Sequence, residues 1–174
     1  MTGRGTALLV TVCAVLGAYL WLFELRPRRH PPPTAPEAAP LLPVPPAAVA
    51  RLELEEAGRR LTAVRREGGW ADPSGRTWRA EAVSDLVDAL GTLRPLMVVD
   101  PDPQAPADYG LGPDARRLRV LGADGRPVLR LELGEPNPAG TGVYARVAER
   151  PEVVLIGGLL RWELAKLSAA APEP

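Results

Sequence analysis

RRLRVLGADGRPVLRLEL, residues 116–133, has the pattern of a β-hairpin. Leucine and valine alternate with arginine in its first half, and three leucines alternate with charged residues in its second half. A period of two is typical of strands that bury one face and expose the other. Between the halves, Ala123-Asp124-Gly125 has the composition of a tight hairpin turn. The segment therefore predicts two antiparallel strands, Arg116–Leu121 and Val128–Leu133.

The residues that follow extend this pattern into a meander. Val143–Val147 and Val153–Ile156 are predicted strands, and the second is wholly apolar, which indicates a strand with neighbours on both sides. Gly157-Gly158 then breaks the strand pattern. Residues 159–168 have helical spacing that places three leucines on one face, so they predict a closing helix.

The residues that precede the hairpin supply further strands and a second helix. Val49–Glu55 and Arg60–Arg66 are predicted strands joined at Ala57-Gly58, and residues 80–93 have the apolar spacing of an amphipathic helix. Leu96–Val99 is a short apolar strand. These elements predict an α+β class: a mostly antiparallel sheet with two packed helices.

Asp72-Pro73-Ser74-Gly75 has the sequence of a type I turn, with Asp first, Pro second and Gly fourth. Trp70 and Trp78 flank this turn. We therefore predict a short hairpin whose two indoles pack toward the next element.

The N-terminal segment Ala7–Phe23 contains no charged residue. Its length suits a helix that spans a bilayer, and aromatic residues crowd its C-terminal end, as at membrane interfaces. We predict an uncleaved transmembrane anchor over residues 7–25. A cleaved signal peptide is the alternative, but no small-residue cleavage site follows the apolar run. A lipoprotein anchored at Cys13 is a further alternative, and the residues before Cys13 do not fit its processing signal.

Pro27–Pro46 is rich in proline, which locks the backbone and removes amide donors. It predicts a semi-rigid polyproline II spacer, with a docking site for a polyproline-binding module as the alternative. The predicted organisation comprises an N-terminal stub (1–6), the anchor (7–25), a Pro-rich linker (26–46), the α+β domain (47–168) and a disordered tail (169–174).

Composition excludes several classes of function. Basic and acidic residues balance at 21 each, whereas a nucleic-acid-binding domain normally has a basic face. The single cysteine, Cys13, and the single histidine, His30, both precede the domain. The domain therefore has neither a thiol nucleophile nor a histidine base, and we predict no catalytic residue, no metal and no cofactor.

Three sets of side chains are candidates for chemistry. Asp100, Asp102 and Asp108 have the oxygen ligands that Ca²⁺ prefers, but prolines separate the first two and indicate a solvated loop. The acidic residues at the end of the first strand have the residue type of a carboxylate pair, but the alternation places Glu53 and Glu55 on the outward face. The domain serines lack a nucleophile-elbow motif. The candidates in the last two sets are Glu53, Glu55, Glu56, Ser74, Ser84 and Ser168.

Glycine motifs and tyrosines give the remaining candidates. Gly110–Pro113 and Gly140–Gly142 resemble fragments of phosphate-binding loops but lack the full fingerprint, so they are interpreted as turns. Tyr144 and Arg146 point away from the apolar face of their strand, and tyrosine beside arginine is common in interfaces. We predict a partner-facing patch of Tyr144, Arg146 and Tyr109, or else that Tyr144 covers the second side of the sheet under a helix.

The order of elements, with its short motifs, resembles the domain-of-unknown-function 4340 family over nearly the whole chain. The motifs are YLWLFE (Tyr19–Glu24), GGW (Gly68–Trp70), DYGLGP (Asp108–Pro113), LELG (Leu131–Gly134), GVYARV (Gly142–Val147) and VVLI (Val153–Ile156). The resemblance implies a bacterial, membrane-anchored protein whose domain lies outside the cytoplasmic membrane. It also implies an association, in some relatives, with ABC-type transport or gliding components, and no known catalytic residue.

Charge and resemblance point to different orientations of the domain. Arg26, Arg28 and Arg29 follow the anchor, and the positive-inside rule would place them, with the domain, in the cytoplasm. The resemblance favours a single-pass inner membrane protein with a periplasmic or otherwise extracytoplasmic domain.

Two hypotheses of function follow. The first is a non-catalytic, membrane-tethered interaction domain, an accessory of an envelope transport or motility assembly that contacts other envelope proteins. The second is an exported hydrolase or carbohydrate-active enzyme that uses two converging carboxylates.

Overall fold

The computed structural model describes Val12, Leu16 and residues 39–172. The chain divides into two compact units, Met1–Glu37 and Ala38–Pro174. In the first unit, Val12 and Leu16 are helical and exposed. The predicted stub, the rest of the predicted anchor, residues 26–38 of the predicted linker and residues 173–174 lie outside the described residues. In the described portion of the chain, no helix has the length and apolar character needed to cross a bilayer.

In the second unit, eight strands form one sheet in the order β3-β2-β1-β5-β6-β7-β8-β4, and every neighbouring pair is antiparallel. The strands are β1 (Val49–Glu56), β2 (Arg59–Arg66), β3 (Gly69–Ala71), β4 (Pro95–Asp100), β5 (Arg116–Gly122), β6 (Pro127–Pro136), β7 (Gly142–Val147) and β8 (Val153–Gly157). The predicted α+β class with a mostly antiparallel sheet is confirmed.

Two α-helices of the second unit, α1 (Ala80–Thr92) and α2 (Leu159–Ala169), pack against each other and against the sheet. Two 3-10 helices, Pro46–Ala48 and Pro106–Tyr109, are also present. Their buried leucines, such as Leu86 and Leu164, join one apolar cluster with Leu118 and Leu131 of the sheet. Because strand side chains alternate between faces, this cluster defines a helix-covered face. The opposite, helix-free face carries the intervening residues, which are mostly charged in β1, β5 and β6.

The folded unit extends beyond both of its predicted boundaries. Leu41 and Leu42 lie within the predicted linker, yet both are buried in the core. Their backbone amides donate to the carbonyl oxygens of Leu93 and Leu90 at the end of α1. At the other boundary α2 includes Ala169, and Ala171 packs against the core, although both belong to the predicted disordered tail. The composition of each segment favours a linker or a disordered tail, but burial of its apolar side chains in the core makes it part of the folded unit.

The predicted hairpin at Asp72–Gly75 is confirmed. The amide of Gly75 donates to the carbonyl of Asp72 over 3.0 Å, and the amide of Trp78 donates to the carbonyl of Trp70 over 2.8 Å. Both indoles are buried. The Asp72 carboxylate accepts hydrogen bonds from the Ser74 hydroxyl and from the backbone and guanidinium of Arg76. These bonds, led by that of Ser74, lower the pKa of Asp72 from 3.8 to about 2.

We expect Asp72→Asn to lower stability near neutral pH and to have no effect at very low pH. A carboxyl whose pKa is depressed by folding stabilises the native state above its unfolded pKa of 3.8, and this contribution is lost as the pH falls through about 2. Urea unfolding midpoints of both proteins across this range measure the effect. A difference that stays the same from neutral pH to below pH 2 would show that the charge of Asp72 contributes nothing.

Candidate functional site

The strand order requires a long connection across the sheet. β4 lies at one edge and β5 near the middle, so residues 101–115, here called the crossover segment, must pass β8, β7 and β6. They pass over the helix-free face, because Tyr109 contacts Tyr144, whose neighbours Val143 and Ala145 face the helices. This segment therefore covers part of the face that the helices leave open.

The crossover segment meets β6 through two glycines. A Cβ on Gly134 would lie 2.0 Å from the carbonyl oxygen of Tyr109, and a Cβ on Gly110 would lie 2.6 Å from the amide nitrogen of Glu135. Gly110 also has a φ of 72°, a conformation that favours glycine. The register between β6 and β7 shifts between Leu133 and Pro136, at this same point. The motifs DYGLGP and LELG are therefore packing partners.

The predicted patch of Tyr144, Arg146 and Tyr109 assembles only in part. The rings of Tyr109 and Tyr144 meet edge to face with centroids 5.2 Å apart, and the Tyr109 hydroxyl donates to Asp100 Oδ2 over 3.0 Å. This hydrogen bond, with burial and the charge of Asp100, raises the pKa of Tyr109. Tyr109 belongs to a short 3-10 helix of the crossover segment, Pro106–Tyr109, so Tyr144 lies on the second side of the sheet under this helical turn, and not under α1 or α2. Both tyrosines are half-buried, and their role toward a partner stays a prediction.

Arg146 is held by an ion-pair bridge on the same face. Arg146 Nε donates to Glu132 Oε2 over 3.1 Å, and Arg117 Nε lies 3.4 Å from Glu132 Oε1. Arg117 also donates to the carbonyl oxygens of Gly112 and Pro113 in the crossover segment. These three charged side chains therefore connect β5, β6 and β7 to the crossover segment. The guanidinium of Arg146 is bound to Glu132 within the domain.

The acidic candidates of β1 are engaged in ion pairs. Glu53 pairs with Arg51, Glu55 with Arg60 and Glu56 with Arg116. Asp100 accepts the Tyr109 hydroxyl and the amide of Asp102. Over the described residues, no group of three or more His, Cys, Asp or Glu is arranged to hold a metal ion.

Two of the three serine candidates donate hydrogen bonds to carboxylates. Ser74 donates to Asp72, and Ser168 donates to Glu56. Ser84 is exposed on α1. None of these contacts has the form of a nucleophile paired with a base.

An open groove of about 840 Å³ runs between the crossover segment, the ends of β6 and β7, and α2. Trp162 stands at its rim with 65% of its surface exposed, beside Arg161. Asp114 and Glu135 are its acidic lining residues, and both are exposed. Both acids are therefore accessible to water at the surface of the groove.

The most unusual surface is the outer edge of β4, which the sequence did not predict. Leu96, Met97 and Val98 expose 57%, 55% and 52% of their surfaces. In the described part of the chain, β4 has one strand neighbour, β8, so its other edge presents unpaired backbone groups. Pro95 at its start is the available signal, because proline within a sheet is confined to edges, strand starts and bulges.

The fold and these surfaces define a class: an α+β domain with helices on one sheet face and an unpaired apolar strand edge. The family model described as Domain of unknown function (DUF4340) matches residues 71–169. The chain belongs to this family, as the sequence motifs predicted. The match begins at Ala71, so it excludes β1 and β2 and the motifs at Tyr19–Glu24 and Gly68–Trp70, and it is shorter than the predicted resemblance. Comparison with curated proteins and with solved structures found no match.

Proposed function

We propose that this protein is a membrane-tethered, non-catalytic interaction domain, an accessory of an envelope transport or motility assembly. The observation that carries the proposal is the edge of β4. It combines unpaired backbone groups with the exposed apolar side chains of Leu96, Met97 and Val98.

Strand addition is the mode of binding that this edge favours. An added strand forms main-chain hydrogen bonds with an open edge, and its side chains contact the exposed residues on either face. Exposed apolar edges favour aggregation, and proteins usually protect them with charges, prolines, β-bulges or a covering element. β4 has Pro95 and two register shifts, but its three central residues keep exposed apolar side chains. Three consecutive exposed apolar residues therefore support a surface that is covered by a protein partner.

The ion pairing and the exposure of the carboxylates support the non-catalytic part of the proposal. The carboxylates of β1 are neutralised by arginines, and Asp114 and Glu135 in the groove are exposed. The domain also contains no histidine and no cysteine. A carboxylate-dependent hydrolase would need two acids in different environments, one of them protonated at working pH.

The tether and the envelope location are supported by the sequence. Residues 7–25 have the length and apolar character of an anchor, and the family resemblance implies a domain outside the cytoplasmic membrane. The assembly is a proposal from that resemblance alone.

Photo-crosslinking tests the interaction edge in living cells. A photoreactive phenylalanine analogue in place of Met97 is expected to form adducts with protein on irradiation. The same analogue in place of Arg119, which is exposed in the middle of the sheet on β5, is the matched control and is expected to form few. Equal yields at both positions, or none at position 97, would overturn the proposed role of β4.

A topology measurement tests the location. A reporter that is active only outside the cytoplasm, fused after Pro174, is expected to be active, and a reporter that is active only in the cytoplasm is expected to be silent. The reverse result would mean that Arg26, Arg28 and Arg29 set the orientation, and it would contradict an envelope assembly outside the cytoplasm.

A further inference from the structure

We infer that the partner at this edge is a second copy of the same chain, with β4 paired antiparallel to β4 of the copy about a two-fold axis at Met97. This inference rests on the proposed interaction role of β4. It adds the identity of the partner and the register of the pairing.

The residues of β4 are self-complementary in this register. In an antiparallel pair centred on Met97, residues at equal distances on either side of Met97 face each other. Leu96 then meets Val98 of the copy, so exposed apolar side chains cover one another. Arg94 meets Asp100 of the copy, and the two-fold axis repeats this pair of opposite charges at the other end.

The irregularities of β4 preserve this match. Its register against β8 shifts once between Pro95 and Met97 and once between Val98 and Asp100. Compared with β8, β4 therefore has one extra residue on each side of Met97. Arg94 and Asp100 are each three residues from Met97, so they lie at equal distances from the axis. A register centred on Val98 would instead set Leu96 against the charged Asp100. In both registers the two-fold axis passes through a residue. An axis between two residues would set outward-facing backbone groups opposite inward-facing ones.

The two end charges differ in their surroundings: Asp100 is half-buried and its oxygens already accept hydrogen bonds from Asp102 and Tyr109, but each oxygen keeps a second lone pair for an arginine of the copy. Arg94 is exposed, and among the residues that the structure describes it has no ion-pair partner. Asp100 lies opposite Val153, on the helix-free face that also carries Met97 opposite Leu155. Pro95 and the two register shifts limit the pairing to a short central stretch. Anchors in the same membrane raise the effective concentration of the two copies, which compensates for a short interface.

Disulfide trapping tests the register in the full chain, with Cys13→Ser to remove the natural thiol. Met97→Cys is expected to form a disulfide-linked dimer when membranes from expressing cells are oxidised. Leu96→Cys alone and Val98→Cys alone are expected to form little, because each would lie about 7 Å along the strands from its own copy. Coexpression of Leu96→Cys with Val98→Cys is expected to restore the linked dimer.

A charge reversal tests the ends of the pair. Arg94→Glu would set like charges opposite Asp100 at both ends, and we expect about tenfold weaker dimerisation at low salt. Arg66→Glu, at an exposed arginine of β2, is the matched control and is expected to leave dimerisation unchanged. The full chain in mild detergent, followed by sedimentation, gives both dissociation constants.

The outcomes separate the two proposals. Equal trapping at positions 96, 97 and 98 would indicate collisions and would overturn the register. A monomer that still forms photo-adducts with other proteins at position 97 would overturn the second copy as partner and leave the interaction role of β4 intact. A monomer without adducts would overturn both.

Discussion

Gly134→Ala is expected to lower the free energy of unfolding by about 3 kcal/mol, at the upper end of the range for overpacking. The added Cβ would lie 2.0 Å from the carbonyl oxygen of Tyr109. Because this neighbour is backbone, no side-chain rotation relieves the clash. Either β6 or the crossover segment must move, and both are held by the ion pairs of Glu132 and Arg117. Urea unfolding of the full chain in mild detergent, followed by fluorescence of the buried Trp70 and Trp78, measures the loss.

Gly157→Ala is the matched control for Gly134→Ala. Gly157 is also a strand glycine, in β8, but a Cβ on it meets nothing within 4 Å. We expect a change of at most about 1 kcal/mol, with a contribution from the lower entropy of the unfolded chain. If both substitutions had the same small effect, the crossover segment would not pack on Gly134 as described.

Leu42→Ala is expected to cost about 3 kcal/mol, as large-to-small substitutions in a core usually do. Leu42 is 2% exposed and belongs to the core cluster, although its sequence surroundings are those of a Pro-rich linker. The loss combines the transfer of apolar atoms with the cavity that remains beneath α1. The same urea unfolding measurement reports it, as a lower midpoint with an unchanged slope.

Leu159→Ala provides the matched control for Leu42→Ala, because Leu159 is 50% exposed. A change within about 0.5 kcal/mol is expected at such a surface position. A negligible cost for Leu42→Ala would return residues 39–46 to the linker and would contradict a folded unit that begins before Ala47.

Local patterns predicted most of the elements because each depends on neighbours in the chain. Alternation in Val128–Leu133 depends on residues two apart, and the helix over 80–93 depends on residues three and four apart. The turn at Asp72–Gly75 depends on four residues. Burial then follows the periodicity, as the fully buried Leu86 and Leu131 show. For the edge position of β4, Pro95 was the one signal, since Leu96–Val99 has the same apolar composition as the well-covered Val153–Ile156.

The sequence by itself determined the α+β class, the two helices, the antiparallel hairpins and membership in the DUF4340 family, because periodicity, turn chemistry and short motifs are local properties. Only the tertiary structure decided that Leu41 and Leu42 are core, that Gly134 lies under Tyr109 and that β4 is an edge strand of the described sheet. Each of these depends on which distant segments meet. The strand order determines these contacts. It depends on packing over the whole sheet, and no short window of residues encodes it.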